Sequence, residues 1–336
     1  MTRRSTLVIA EAGVNHNGDL ATALSLVDVA TESGADIVKF QTFNANQLVT
    51  QDAAKAEYQK VTTSNTETQF EMLRKLELSH NDHLAISERC QERGIGFLST
   101  GFDIDNVDML VGLGMNLIKV PSSEITNLPY LRHIGGLGLS TILSTGMADL
   151  EEVRSALDVL LSCGSSKSDV TVLHCTTDYP AAMGDVNLKA MVTMRDAFGV
   201  EVGYSDHTLG FEVAVAAVSL GAVVIEKHLT LDKESAGPDH AASLEADEFA
   251  KMVRVIRNIE IALGDGIKRP QSSEYANMAV ARRSLVAVEH IRKGAMFTST
   301  NIAAKRPGIG VSPMRWNEVL GQNATRAYAP NEMIEL

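Results

Sequence analysis

Residues 223–230 read VVIEKHLT, a β-branched apolar run that turns ionisable at its end. Such a run is buried on both faces, as in a parallel sheet covered by helices, and it delivers Glu226 and His228 to one end of that sheet. The pattern recurs seven times upstream, at 7–10, 36–41, 94–100, 117–122, 141–146, 170–176 and 201–207. Between the runs lie amphipathic stretches such as 20–33, 150–162 and 245–263, with Gly34, Gly94, Gly114, Gly164 and Gly221 where helices should end. Eight βα units are the number that closes a (β/α)8 TIM barrel, an α/β fold. An open doubly wound sheet is the alternative, but no GxGxxG follows the first run.

The gap between the second and third runs is the longest. Residues 42–80, with one helix-like piece at 69–76, form an insertion on the face where barrel enzymes carry their chemistry, and so a candidate lid. After the eighth unit, a Gly-, Pro- and Ser-rich break at 264–273 separates two compositions: residues 1–270 carry a net charge of −15 and residues 271–336 carry +3. We divide the chain into a catalytic barrel (1–265), a linker (266–280) and a small, mostly β domain (281–336) with strand-like pieces at 284–288 and 302–305.

Composition narrows the function classes. The 336 residues are 45% hydrophobic and 21% charged, ample for a core, and the net charge of −12 disfavours nucleic acid and anionic membrane as partners. Three scattered cysteines, Cys90, Cys163 and Cys175, suggest neither a disulfide framework nor a zinc site. The apolar stretch at 7–10 is too short for a signal h-region or a membrane span, so a cytoplasmic protein is expected.

The strand ends concentrate reactive side chains. His207 and His228 close neighbouring runs, and two imidazoles converging from adjacent strands can hold a divalent metal. Lys39 and Lys119 interrupt apolar runs, where a lysine must find an anion, a carboxylate or a Schiff-base carbon. With strand-end hydroxyls they suit a substrate bearing phosphate and carboxylate. His80, His83, His133 and His290 read as surface or helix residues, and His174 is open between core and site. A strand-end Ser or Thr more often caps the next helix than binds a ligand; the recurrence around the ring carries the argument.

The motifs IAEAGVNHNG (9–18), VKFQTF (38–43), FLSTGFD (97–103), KVPSSEITN (119–127), LSTGM (143–147), LHCTTDYPA (173–181), GYSDHTLG (203–210) and EKHLTLDKESAGPDHAAS (226–243) resemble the bacterial sialic acid synthase family. The tail, with ARRSLVAVEHIRKG (281–294) and KRPG (305–308), resembles the family's antifreeze-like SAF domain. The resemblance implies condensation of phosphoenolpyruvate with an N-acylated mannosamine-type sugar, N-acetylmannosamine or 2,4-diacetamido-2,4,6-trideoxymannose, to a nine-carbon 2-keto acid. It also implies a domain-swapped homodimer. Carried over by position, Lys39 meets the phosphoenolpyruvate carboxylate, while Thr100, Lys119, Ser122, Ser144, Thr177 and Ser205 surround its phosphate. His207 and His228 hold Mn²⁺, or Mg²⁺ or Co²⁺ in its place. Glu11 activates water; Gln41, Glu124, Tyr179 and Asp239 lie on the sugar or metal side. Arg306 reaches the partner's site. Gly101 and Thr177 depart from the family pattern, where Pro and Asn are common; the first is expected to loosen the third loop and the second to shorten a phosphate donor. The competing readings are a Schiff-base pyruvate aldolase and a non-enzymatic carbohydrate- or ice-binding protein.

Overall fold

A computed structural model of the chain describes residues 5–63 and 66–336, so the reading of residues 1–4 lies outside the described residues. Eight parallel strands form one sheet: β1 (Leu7–Gly13), β2 (Ile37–Thr42), β3 (Gly96–Gly101), β4 (Leu117–Val120), β5 (Ser140–Ser144), β6 (Val170–His174), β7 (Glu201–Asp206) and β8 (Val224–His228). They run in the order β3-β2-β1-β8-β7-β6-β5-β4, and β3 lies beside β4, closing the ring. This is the TIM-like barrel expected from the run count.

Several runs stop sooner than their apolar pattern. β4 ends at Val120 because Pro121 has no N–H to give a ladder, and Ser122–Glu124 turn in a 3-10 helix. β6 ends at His174 and β7 at Asp206. Many of the candidate side chains therefore sit at or just past the strand ends, on loops at one mouth of the barrel.

Side-chain alternation sorts the strand residues. Val38 and Phe40 are fully buried in the layer between strands and helices, whereas Lys39 between them points into the barrel. The helix Leu20–Glu32 starts where Asp19 accepts from the Thr22 N–H, and it buries Ala23, Leu26, Val27 and Ala30. The helix His80–Arg93 stops at Gly94, whose φ of 71° is left-handed. His83 on that helix is fully buried rather than at the surface, because its Nε2 bonds Thr42 Oγ1 at 2.7 Å and its Nδ1 bonds the Ser79 carbonyl at 2.8 Å. His174 resolves towards the core: its Nε2 donates to the Val186 carbonyl at 2.7 Å.

The insertion holds more structure than its sequence shows, with three short helices, Ala45–Leu48, Glu57–Thr62 and Gln69–Arg74. Only the last has apolar spacing that a sequence reveals.

The chain separates into two compact units, Met1–Gly264 and Asp265–Leu336. The second pairs β9 (Ser284–Ala287) antiparallel with β10 (Ile302–Lys305) and has its own small core around Leu285, Phe297, Ile302 and Tyr328. The helix Tyr275–Ala281 lies in the stretch that composition alone marks as linker. Short helix-permissive residues between Pro270 and Arg282 explain why the breaker signal upstream concealed it.

Gly101 does not loosen the third loop. A Cβ there would stand 2.9 Å from the Val107 backbone nitrogen and 2.8 Å from its Cγ2, so the glycine lets the helix Ile104–Gly112 close onto β3. The Tyr130 hydroxyl fastens the same point by donating to the Gly101 carbonyl at 2.6 Å. Gly101→Ala should lower unfolding free energy by about 1–3 kcal/mol through overpacking, read from urea denaturation midpoints.

Candidate active site

Strand register assembles the floor of the site. Glu11 on β1 is level with Lys39 on β2 and with His228 on β8, and Ser205 on β7 is level with Glu226 on β8. Lys39 Nζ lies 2.7 Å from Glu11 Oε2 and 3.7 Å from Glu226 Oε2, and donates to Thr100 Oγ1 at 3.2 Å. Lys119 Nζ pairs with Glu226 Oε1 at 3.1 Å, and the Ser205 hydroxyl donates to the same oxygen at 2.9 Å. Gln41 Nε2 donates to Glu11 Oε1 at 3.2 Å.

The two lysines differ in state. Burial opposes the charge of Lys39, but Glu11 and Glu226 outweigh it and hold its ammonium above the ordinary value. Burial wins at Lys119, only partly offset by Glu226, and lowers it. The carboxyls divide likewise. Desolvation lifts Glu11, while at Glu226 the two lysines overcome desolvation and hold the carboxyl well below the usual range. Asp239 is pushed up to about 7 by burial and by the nearby Glu11 charge.

Above this floor sit the histidines. The His207 Nδ1–H donates to the Thr176 carbonyl at 2.6 Å, which leaves Nε2 as the lone-pair nitrogen, 3.3 Å from Ser205 Oγ. Its ring centroid is 5.7 Å from that of His228 and 4.1 Å from that of Tyr179. Burial holds both imidazoles neutral, His207 down to about 4 and His228 well below its ordinary value. His228 Nδ1 is buried without a hydrogen-bond partner, with Asp239 Oδ2 at 3.9 Å. Among the described residues no group of three or more His, Cys, Asp and Glu side chains is preassembled as a cation site. Two neutral imidazoles, one with an orphaned nitrogen, still fit a divalent ion whose other positions are filled by water and substrate oxygens.

Hydroxyls complete one wall. The Gly146 N–H donates to Ser122 Oγ at 2.9 Å, and Ser144 Oγ is buried with no partner. A Cβ on Gly146 would fall 2.1 Å from Thr177 Oγ1 and 2.9 Å from Ser122 Oγ, so the glycine keeps this cradle open. Around it lies a cavity of about 470 Å³, lined by Glu11, Lys39, Gln41, Thr100, Lys119, Ser122, Glu124, Ser144, Thr177, Tyr179, Ser205, His207, His228 and Asp239. Arg306 belongs to the second unit, where it is exposed.

Some lining residues escape the sequence reading. Glu226 is placed by the sequence at the end of the eighth run, two positions before His228 and on the same face, but its part as counter-charge to both lysines shows only in the structure. Tyr58 and Gln59 come from the insertion, and the Tyr58 ring packs on Tyr179 at 5.1 Å. Nothing in their local pattern announces this. Val14, Phe43, Met72 and Leu76 form an apolar cluster on the same side, backed by Phe102.

Comparison with known proteins places these features in a lineage. The sequence pattern of the NeuB family matches residues 26–268 and that of the SAF domain matches residues 282–335. The chain is 51% identical to the N,N'-diacetyllegionaminic acid synthase of Campylobacter jejuni, over 98% of this chain and 99% of that one. It is 50% identical to the enzyme of the same name from Legionella pneumophila, over 94% and 89%. Among solved structures, the N-acetylneuraminic acid synthetase of Leptospira borgpetersenii, in complex with citrate, superposes with a TM-score of 0.72 at 34% identity, covering 82% of this chain and 90% of that one.

Gly146→Ala should weaken binding of inorganic phosphate about tenfold or more by closing the hydroxyl cradle, measured by calorimetric titration. Acid sensitivity follows from the buried imidazoles. His16 and His207 both titrate near 4 when folded, against about 6.5 when unfolded. Between those values the unfolded chain binds more protons, so stability is complete above pH 6.5 and falls as pH drops to 4. The expected loss is about 1.4 kcal/mol per pH unit for each histidine in the metal-free protein, read from urea melts across that window.

Proposed function

The chain belongs to the NeuB family and carries a SAF domain, and on that premise we propose that it condenses phosphoenolpyruvate with an N-acylated mannosamine-type sugar, releasing phosphate and forming a nine-carbon 2-keto acid. The observation that carries this reading is the pairing, within one cavity, of two buried lysines and a hydroxyl cradle with two neutral imidazoles. An anion and a carbonyl group can be held there side by side.

Lys39 and Lys119 are neutralised by Glu11 and Glu226 before substrate enters, and they exchange part of that pairing for the carboxylate and phosphate of phosphoenolpyruvate. Ser122, Ser144, Thr177 and Ser205 donate to the phosphate oxygens. A divalent ion, Mn²⁺ in our reading, would be held by His207 and His228 and would supply Lewis-acid polarisation of the sugar aldehyde. The C2–C3 π electrons of phosphoenolpyruvate form the new bond to the aldehyde carbon, and the aldehyde oxygen gains a proton. Asp239, whose carboxyl keeps its proton up to about 7, is the donor we assign. Water adds at C2 and gives its proton to Glu11, whose buried carboxylate is the readier base. The C2–O bond to phosphate then breaks, the C2 hydroxyl proton leaves with the phosphate, and the ketone forms.

For the acceptor we infer the 6-deoxy diacetamido sugar. Support comes from the two synthases at 50–51% identity and from the apolar side of the cavity around Phe43, Met72 and Leu76, which suits methyl groups better than hydroxyls. Gln41, Glu124 and Tyr179 are assigned to this sugar, and Arg306 to the cavity of a second copy in a homodimer. The depressed Lys119 would also suit a Schiff base, but its ion pair with Glu226 holds it in another role.

The test is phosphate release from phosphoenolpyruvate with each sugar, with and without Mn²⁺. We expect turnover with 2,4-diacetamido-2,4,6-trideoxymannose well above that with N-acetylmannosamine, and loss of turnover with EDTA. His207→Ala should lower kcat by several orders of magnitude while leaving the melting temperature within a few degrees. Borohydride trapping with pyruvate together with insensitivity to EDTA would select the aldolase instead, and full phosphate release in EDTA by itself would overturn the metal's role.

A further inference from the structure

Asp206 and Lys227 stand one residue before His207 and His228. Alternation turns Ser205 and Glu226 into the barrel, so Asp206 and Lys227 face the helical layer, where both side chains are wholly inaccessible. They are register partners on β7 and β8, and Lys227 Nζ lies 3.1 Å from Asp206 Oδ2. Outward positions near the ends of β2, β4 and β5 hold Phe40, Val120 and Leu143, all apolar and buried. An ion pair in such a layer is costly to desolvate and often no more stabilising than apolar side chains of its volume. Packing therefore does not account for it.

What the pair does beyond packing is hold the turn after His207. Asp206 Oδ1 accepts from the Thr208 N–H at 3.0 Å and from the Thr208 hydroxyl at 2.7 Å, and Lys227 Nζ donates to the Thr208 carbonyl at 2.5 Å. Every polar group of Thr208 is thus tied to one charged pair. That pair directly bridges the two strand ends that carry the imidazoles. On the far side, the His207 carbonyl accepts from the Ala181 N–H at 2.9 Å, and the His207 ring is held by the Thr176 carbonyl. The backbone of His207 is clamped from both directions, whereas no hydrogen bond holds Nδ1 of His228, whose ring is positioned by its backbone and by packing against Tyr179 and His207.

We propose that the Asp206–Lys227 pair is a positioning clamp that sets the separation and aim of the His207 and His228 imidazoles for a divalent cation. The proposal rests on reading those two residues as the cation's ligands. Neither Asp206 nor Lys227 reaches the cavity, so both act through the histidines and touch no substrate. The chemistry matches the general behaviour of groups that orient metal ligands from behind, whose loss weakens metal binding.

The test uses the full chain stripped of metal and titrated with Mn²⁺ alone, followed by electron paramagnetic resonance of the free ion. Asp206→Leu with Lys227→Met replaces the pair by apolar side chains. We expect a melting temperature within a few degrees of the parent, phosphoenolpyruvate KM changed less than about threefold, and Mn²⁺ affinity weakened about 10–100-fold. Parental Mn²⁺ affinity per folded molecule overturns the clamp. Thr208→Val covers the case where the double variant does not fold: it removes only the hydroxyl that Asp206 holds and should weaken Mn²⁺ about threefold to tenfold, with unchanged affinity again overturning the proposal. A parent chain that binds no Mn²⁺ overturns the ligand reading itself, and the clamp with it.

Discussion

Glu226 at the base of the barrel accepts from Lys119 and Ser205 through one oxygen and attracts Lys39 through the other. Buried ammonium groups are expensive to desolvate, and two of them inside a strand ring would be intolerable without fixed counter-charges. Glu226 and Glu11 supply those charges from β8 and β1, and the strand register decides which oxygen reaches which nitrogen. The interior can then stay charged, and in the function we propose its cations are lent to an anionic substrate. The other features of the mouth are arranged around this charge-neutral floor.

The cavity is sharply divided in character. Hydroxyls line one flank and imidazoles the other, while the insertion adds an aromatic and apolar flank through Tyr58, Phe43 and Met72. A sugar bearing acylamino groups needs both kinds of surface, and a three-carbon phosphorylated acid needs only the first. Strand ends supply the charged floor and the insertion supplies the apolar flank. Enclosure explains why burial, more than any single neighbour, governs titration here: walls on all sides leave little water to solvate either histidine.

Much of this was legible in the chain itself. Eight apolar runs spaced by amphipathic segments specify a covered parallel ring because no other arrangement buries them on both faces. Period-two alternation then sends Lys39, Lys119, Ser205 and His228 inward together, which is why their recurrence at strand ends signalled chemistry. Less was legible where local pattern is silent: the short helices of the insertion, the burial of His83, the helix inside the supposed linker, and the tight approach at Gly101 all depend on what lies opposite.

Side-chain type, order and periodicity along the chain thus determined the barrel, the inward-facing charges and the family, since these follow from local burial rules and from motifs that stay collinear. Only the folded arrangement decided which lysine keeps its proton more firmly, which histidine nitrogen is free, and that Tyr58 joins the wall. Those properties come from distances and desolvation between residues up to about two hundred positions apart, such as Glu11 and His228, and no local pattern encodes them.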